Sequence, residues 1–183
     1  METVETIRNR YDAGEKLEFI FFWGHHQNGT RVTQACLSQW YPAQFVIDDI
    51  TYRCTEQWMM AEKARVFGDE YNRKKILEAK DPKEMKSLGR QVRNFNADVW
   101  NEKAREIVTK GNIAKFSQNP GLKAFLLNTR NMVLVEASPY DKIWGIGLDR
   151  ETALKGSVDQ WQGENLLGCA LMEVRDWLRT ENL

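Results

Sequence analysis

The sequence predicts an α+β fold, a single compact, mainly helical domain built around a few short strands. Three observations lead there. Most of the 183 residues fall into segments with helical spacing or helix caps. The few β-rich runs are short and do not alternate regularly with helices, so a doubly wound sheet is not expected. There is no internal repeat, low-complexity tract or linker, so residues 1–183 read as one domain.

Taken in order, residues 1–16 are polar, with Val4, Ile7 and Tyr11 near helical spacing, and predict a short helix ending near Gly14. Leu17 to Trp23 is rich in β-formers and predicts a buried strand. Gly24 to Thr30 is loop, with Asn28-Gly29 as a tight-turn signal. Gln44–Ile47 and Ile50–Arg53 flank Asp48-Asp49 and predict a hairpin. A helix follows from Thr55 to Phe67, and another from Asp69 to Ala79. Asp81-Pro82 is a capped start with proline in the first turn, opening a helix to about Arg90. Asp98 to about Phe116 is a longer helix that Gly111 bends or breaks. Asn119-Pro120 repeats the cap-plus-proline start of a helix through Leu127. Met132–Ala137 is a strand, and Ser138–Asp159 an ordered functional loop with a short helix at Glu151–Lys155. The closing helix runs from Glu164 or Asn165 to Thr180.

The helix at Thr55 carries the strongest functional signal. Thr55 is the expected N-cap, with Glu56 at the positive end of the helix dipole. On a helical wheel Met59, Met60, Ala64, Val66 and Phe67 share a face, and Glu56 and Lys63 lie in its middle. Trp58, Ala61, Glu62 and Arg65 fall on the other side. Charges inside an apolar stripe are costly unless paired or used. One reading is a capping glutamate and a lysine whose stem packs while its ammonium stays wet. The other is a pocket face with two charges roughly 10 Å apart along the axis, bracketing a small ligand.

Composition narrows the alternatives. Basic and acidic side chains balance at 26 each, which argues against gripping long nucleic acid through its phosphates. Cys36, Cys54 and Cys169 show no metal or redox spacing and predict reduced thiols in a cytoplasmic setting. There is no signal peptide and no run that would span a membrane. His25-His26 reads as a solvated pair, and no metal or cofactor site is expected.

Three further groups suit a binding site. Trp23 (with Gly24), Trp40, Trp144 and Trp161 stand at element ends or in loops, where an indole can stack on a base; Trp100 is on a helix. Glu136 to Gly147 places Asp141, Trp144 and Gly145 in a loop after a strand, where glycine lets a ligand approach the backbone. For Asp141 a turn-forming carboxylate is the competing role. Gly163 to Gly168 gives a helix N-terminus suited to an anion, with Asn165 as its cap or a ligand contact. Arg90, after Gly89, is a candidate phosphate clamp.

Together, Leu37 to Pro42, Thr55 to Ala64, Gly89-Arg90, Trp100, Lys115-Phe116, Leu134 to Glu136, Asp141 to Gly147, Trp161 to Gly168 and Leu171-Met172 resemble the YbiA-like, or NADAR, family in its order over about residues 19–178. The resemblance implies a mainly helical α+β domain and cleavage of an N-glycosidic bond. It implies Glu56 and Lys63 as active-site residues, and Trp100, Asp141, Trp144, Gly145 and Asn165 as pocket residues. Some members of the family act on phosphoribosylamino-pyrimidine intermediates of riboflavin synthesis, others on ADP-ribose conjugates, including ADP-ribosylated guanine. Riboflavin-type members often carry Gln at the position of Met60 and Asn at that of Gln39, so the resemblance favours the ADP-ribose side.

The catalytic set expected is therefore Glu56, Lys63 and Asp141. Lys63 acts as nucleophile at ribose C1, Glu56 moves protons and Asp141 orients the ribose hydroxyls. The direct-water route, with carboxylates flanking C1, is the alternative. Expected substrate contacts are Trp23, Gly24, Trp40, Arg90, Trp100, Trp144, Gly145 and Asn165. The expected partner is a nucleotide or ADP-ribose conjugate, or a nucleic acid at its modified base, with no membrane. A binding module without turnover, and a partner-binding domain whose aromatics are core, are the competing classes.

Overall fold

A computed structural model describes residues 2–27 and 29–181. Asn28, half of the predicted Asn28-Gly29 turn, lies outside the described residues. In chain order the elements are α1 (Val4–Asp12), β1 (Phe19–Phe22), β2 (Phe45–Ile47), β3 (Ile50–Tyr52), α2 (Thr55–Val66), α3 (Glu70–Glu78), α4 (Pro82–Arg90), α5 (Ala97–Gln118), α6 (Pro120–Asn128), β4 (Val133–Glu136), α7 (Arg150–Lys155) and α8 (Leu166–Thr180). This is the α+β architecture expected. The chain forms two compact units, one from its two ends, up to Ser38 and from Gly121 on, and one from Gln39–Pro120.

In the unit built from the ends, β1 and β4 pair in parallel, Phe19 opposite Val133 through Phe22 opposite Glu136. The predicted strand at Leu17–Trp23 is shorter than expected, and only Phe22 within it is fully buried. Helix α8 packs on β4. Its buried Arg175 reaches the Thr129 hydroxyl and the Met132 carbonyl, both at 2.8 Å. Burial lowers that guanidinium's pKa to about 10.

The middle unit is organised around α2. Every residue from Thr55 to Ala64 is buried except Lys63, which is half-buried. The predicted two-faced wheel is therefore corrected, because Trp58, Ala61 and Glu62 are as covered as the methionines. The reason is that α3, α4 and α5 all pack on α2. Each contact has its own device. Toward α3, Gln57 Nε2 donates to the carbonyls of Ile76, Leu77 and Ala79, and so satisfies acceptors at that helix's end. Toward α5, Trp58 Nε1 donates to the Ile107 carbonyl at 2.7 Å. Toward α4, Met60 lies against Gly89 so closely that a Cβ there would stand 2.0 Å from its sulfur.

Two local expectations change. The N-cap of α2 is Cys54, whose side chain makes no capping bond, and not Thr55. The carbonyl of Gln39 does that work, accepting from Glu56 N at 2.9 Å and from the Thr55 hydroxyl at 3.2 Å. Gly111 does not break α5, which is continuous through it. It leaves room for the Trp58 indole, whose Cδ1 would lie 2.2 Å from an added Cβ. The β2–β3 hairpin forms as read, with Asp48 and Asp49 at φ +50° and +62° supplying the turn.

Gly111 allows a test of this packing. In an ordinary helix interior, Gly→Ala stabilises by up to about 1 kcal/mol. At Gly111 the added methyl meets a buried indole, and overpacking wins. We predict that Gly111→Ala destabilises the protein by about 1–3 kcal/mol in denaturant unfolding.

Candidate active site

Lys63 is held between aromatic rings. Its Nζ lies 4.2 Å from the centroid of Phe95 and 5.8 Å from that of Trp100. Phe95 in turn meets Phe67 edge-on, with centroids 5.3 Å apart. The sequence places methionines on this helix face; the structure adds two aromatic rings over the lysine, and Met60 lies against Gly89. Loss of water lowers the Lys63 pKa, the positive charge of Arg90 lowers it further, and Glu56 opposes both. Those same interactions show Arg90 and Glu56 acting on one amine.

Glu56 is buried at the first turn of α2, its backbone fixed by Gln39. Gln39 is in turn held by Asn112, whose Nδ2 donates to its Oε1 at 2.9 Å. Arg90 ends α4 and is exposed. Trp40 is half-buried, with Lys86 Nζ 5.9 Å above its ring. Glu56, Lys63, Trp40, Arg90 and Trp100 thus all belong to the Gln39–Pro120 unit.

The remaining candidates belong to the other unit. Trp23 is exposed and lies 6.1 Å from the Tyr140 ring, and Gly24 beside it has φ +78°. Asp141 is a turn residue, its Oδ1 accepting from the backbone N–H of Ile143 (2.9 Å) and Trp144 (2.8 Å). Trp144 is half-buried.

Three expectations here are corrected. Gly145 does not open its backbone to a ligand, since its own chain fills that space: a Cβ would meet the carbonyls of Glu136 and Asp141 at 2.9 and 3.0 Å. Asn165 makes no side-chain cap to α8. It is fully buried, accepts from Glu136 N and donates to the Leu134 carbonyl, both at 2.9 Å, and so fixes the end of β4 from a left-handed backbone (φ +49°). At the start of α8, two of the N–H groups that an anion would use are taken within the chain. The N–H groups of Leu166 and Leu167 donate to the carbonyls of Ile143 and Trp144. Those donors are already satisfied.

Sequence reading missed Phe95 and the clasp that holds its loop. Asp69, buried at the start of α3, accepts from Arg93 N (2.8 Å), the Arg93 guanidinium (2.7 Å) and Asn72. Asn72 also donates to the Gln91 carbonyl. The loop between α4 and α5 is thereby tied to the end of α2. The Arg93 side chain and its backbone N–H hold the Asp69 carboxyl well below the usual range. Among the described residues, no group of three His, Cys, Asp or Glu side chains is arranged to hold a metal ion. Likewise, no helix there is long and apolar enough to cross a membrane.

With this geometry in hand, the chain matches the model of the NADAR domain over residues 21–179. It is 45% identical over 164 residues to N-glycosidase R617 of Acanthamoeba polyphaga mimivirus, covering 87% of this chain and 95% of that protein. It is 30% identical over 135 residues to N-glycosidase YbiA of Escherichia coli, 74% of this chain and 76% of the relative. The solution structure of E. coli YbiA superposes with a TM-score of 0.73 at 26% identity, over 90% of this chain and 87% of that one. The chain belongs to the NADAR family. N-glycosidase is the activity carried in the names of these relatives.

The Asp69 clasp predicts an acid sensitivity. A carboxylate with a depressed folded-state pKa contributes stability above the ordinary aspartate value, near 3.9, and loses it as pH falls toward the folded value. Asp69→Asn should lower the unfolding midpoint at pH 7. It should also flatten the loss of stability that the wild type shows below about pH 4. An unchanged acid limb in the variant would assign that loss to other groups.

Proposed function

We propose that the protein is a cytoplasmic N-glycosidase that cleaves the bond between ribose and a nucleobase, removing ADP-ribose from a modified base such as guanine. The observation that carries this is Lys63 itself: a half-buried amine between two aromatic rings, its pKa lowered, with Arg90 and a buried carboxyl acting on it. A lysine whose pKa is lowered gives up its proton more readily and is a better nucleophile than an ordinary surface lysine. The N-glycosidase names of relatives aligned over most of the chain support the reaction class. Met60 and Gln39, where riboflavin-type members often carry Gln and Asn, favour the ADP-ribose substrate.

In this reading the Lys63 Nζ lone pair forms a bond to ribose C1 as the C1–N bond to the base breaks. The departing pair stays on the base nitrogen, which takes the proton of the Glu56 carboxyl. Glu56, now a carboxylate, removes a proton from the C1-bound ammonium and passes it to the ring oxygen O4′ as the C1–O4′ bond opens. The nitrogen lone pair then forms an iminium, C1=Nζ. Glu56 next takes a proton from water as the hydroxide adds to C1 and returns it to Nζ. The C1–Nζ bond then breaks with its pair going to the amine, and Glu56 takes the proton of the C1 hydroxyl as C1=O forms, which restores the neutral amine and the protonated carboxyl. The sum is one water consumed, one free base and one free sugar. Arg90 is assigned to the phosphates of the sugar portion, because a guanidinium can bind two oxygens at once.

The similarity to the chloroplastic riboflavin biosynthesis protein PYRR of Arabidopsis thaliana, 36% over 105 residues, favours a second substrate reading, a phosphoribosylamino-pyrimidine. It covers only 55% of this chain and 16% of that protein, which ranks it second.

Incubation with ADP-ribosylated guanosine and with ribosylamino-pyrimidine phosphates, read by mass spectrometry, separates the two. Release of guanine is the expected result; release from the pyrimidine alone would select the second reading. Binding without any release would select a non-catalytic module. Borohydride added during turnover should fix the sugar on Lys63, and a Lys63→Ala enzyme that remains active would leave only direct attack by water.

The rate should also rise with pH as Lys63 loses its proton. Arg90 holds that pKa down, so Arg90→Gln should move the rising limb of kcat/KM to higher pH, alongside any loss of phosphate binding. A limb that stays in place would mean that the titrating group is not Lys63.

A further inference from the structure

We infer that Phe95, together with Trp100, is a catalytic aromatic cradle that stabilises the positive charge developing on Lys63 Nζ and ribose C1. The inference rests on the reading of Lys63 as nucleophile and adds a residue to it. Phe95 is nearly half exposed, at 46%, and an exposed phenylalanine alone carries no meaning. Its position does. The ring centroid lies 4.2 Å from Nζ, well inside the roughly 6 Å reach of a cation–π contact, and Trp100 at 5.8 Å stands near the edge of that range. The ring is also held in place. Phe67 packs on it edge-on, and its loop is clasped by the Arg93–Asp69 and Asn72–Gln91 hydrogen bonds, with Asn94 in the left-handed region (φ +57°).

The chemistry selects the charged species. A neutral amine gains little from the face of a ring, and a cation gains much. During cleavage C1 becomes cationic, and then Nζ does so as an iminium. A group that attracts those species and not the neutral amine acts on the transition state and raises kcat. The same faces also attract the resting ammonium. Below the Lys63 pKa the starting ammonium and the transition state are stabilised alike, and the benefit cancels. Above it the start is neutral and the benefit is complete. The other charges acting on Lys63 are Glu56 from its own helix and Arg90 from α4; Arg93, on the Phe95 loop, is turned to Asp69. None of these changes when the ring at 95 is altered.

This gives a signature that packing alone would not produce. Replacing Phe95 with mono-, di- and trifluorinated phenylalanine weakens the negative face of the ring while keeping its shape. The alkaline plateau of kcat/KM should fall step by step, and the acid limbs should overlay. Phe95→Leu should lower the plateau by about two- to thirty-fold. A plateau that stays level across the fluorinated series, in an enzyme still trapped at Lys63 by borohydride, overturns the cradle and leaves the nucleophile standing. If the wild-type enzyme yields no Lys63 adduct, the nucleophile and the cradle fall together.

Discussion

Helix α2 is buried from Thr55 to Ala64 at every residue except Lys63, which is half-buried. That constraint organises the middle unit. A helix covered by α3, α4 and α5 cannot shift without breaking a specific contact in each direction: Gln57 to the end of α3, the Trp58 indole to the Ile107 carbonyl, Met60 to Gly89. Gln39 fixes its start. Each contact has its own chemistry, so register and rotation are both specified. The amine that emerges from this frame is carried by an element that cannot slide or rotate without breaking those contacts.

The same packing sets the electrostatics. Burial takes water from the amine beside the Phe95 and Trp100 rings and lowers the Lys63 pKa. Arg90 adds to that effect, and Glu56 works against it. The balance matters because a stronger ion pair with Glu56 would keep the lysine protonated and inert. Two helical turns separate them, and the pull of Glu56 on the amine is weaker than desolvation. Asp69 meets the opposite condition. Its carboxylate has Arg93 and backbone donors directly upon it and stays ionised as a clasp. Lys63 is shifted toward its neutral form and Asp69 toward its charged form.

Much of this architecture is legible in the sequence, where local chemistry decides the outcome. Asp81-Pro82 opens α4, Asp69 caps α3, and Asp48-Asp49 turns the hairpin because short polar side chains tolerate a left-handed backbone. The parallel pairing of β1 with β4 is not legible, because it joins distant parts of the chain and depends on no local signal. The glycines mislead for a definite reason. A glycine marks close approach by something, and at Gly145, Gly163 and Gly168 that something is the protein's own backbone. Asn165 misleads in a related way, since an asparagine before a helix suggests a cap, and here its amide pairs with β4.

The site itself was half legible. Glu56 and Lys63 stand out because charges in an apolar helix need a reason, and the structure supplies surroundings that give Lys63 one. Phe95 does not stand out, since it lies in a short connection without periodicity and its partner is reached only through the fold. What places it is a chain of dependence. Asp69 follows the end of α2, so the clasp it makes to Arg93 ties the position of Phe95 to the helix that carries Lys63. A substitution in that clasp would therefore alter the surroundings of the amine without touching any group that contacts substrate. The surroundings of the Lys63 amine thus depend in part on one buried carboxylate.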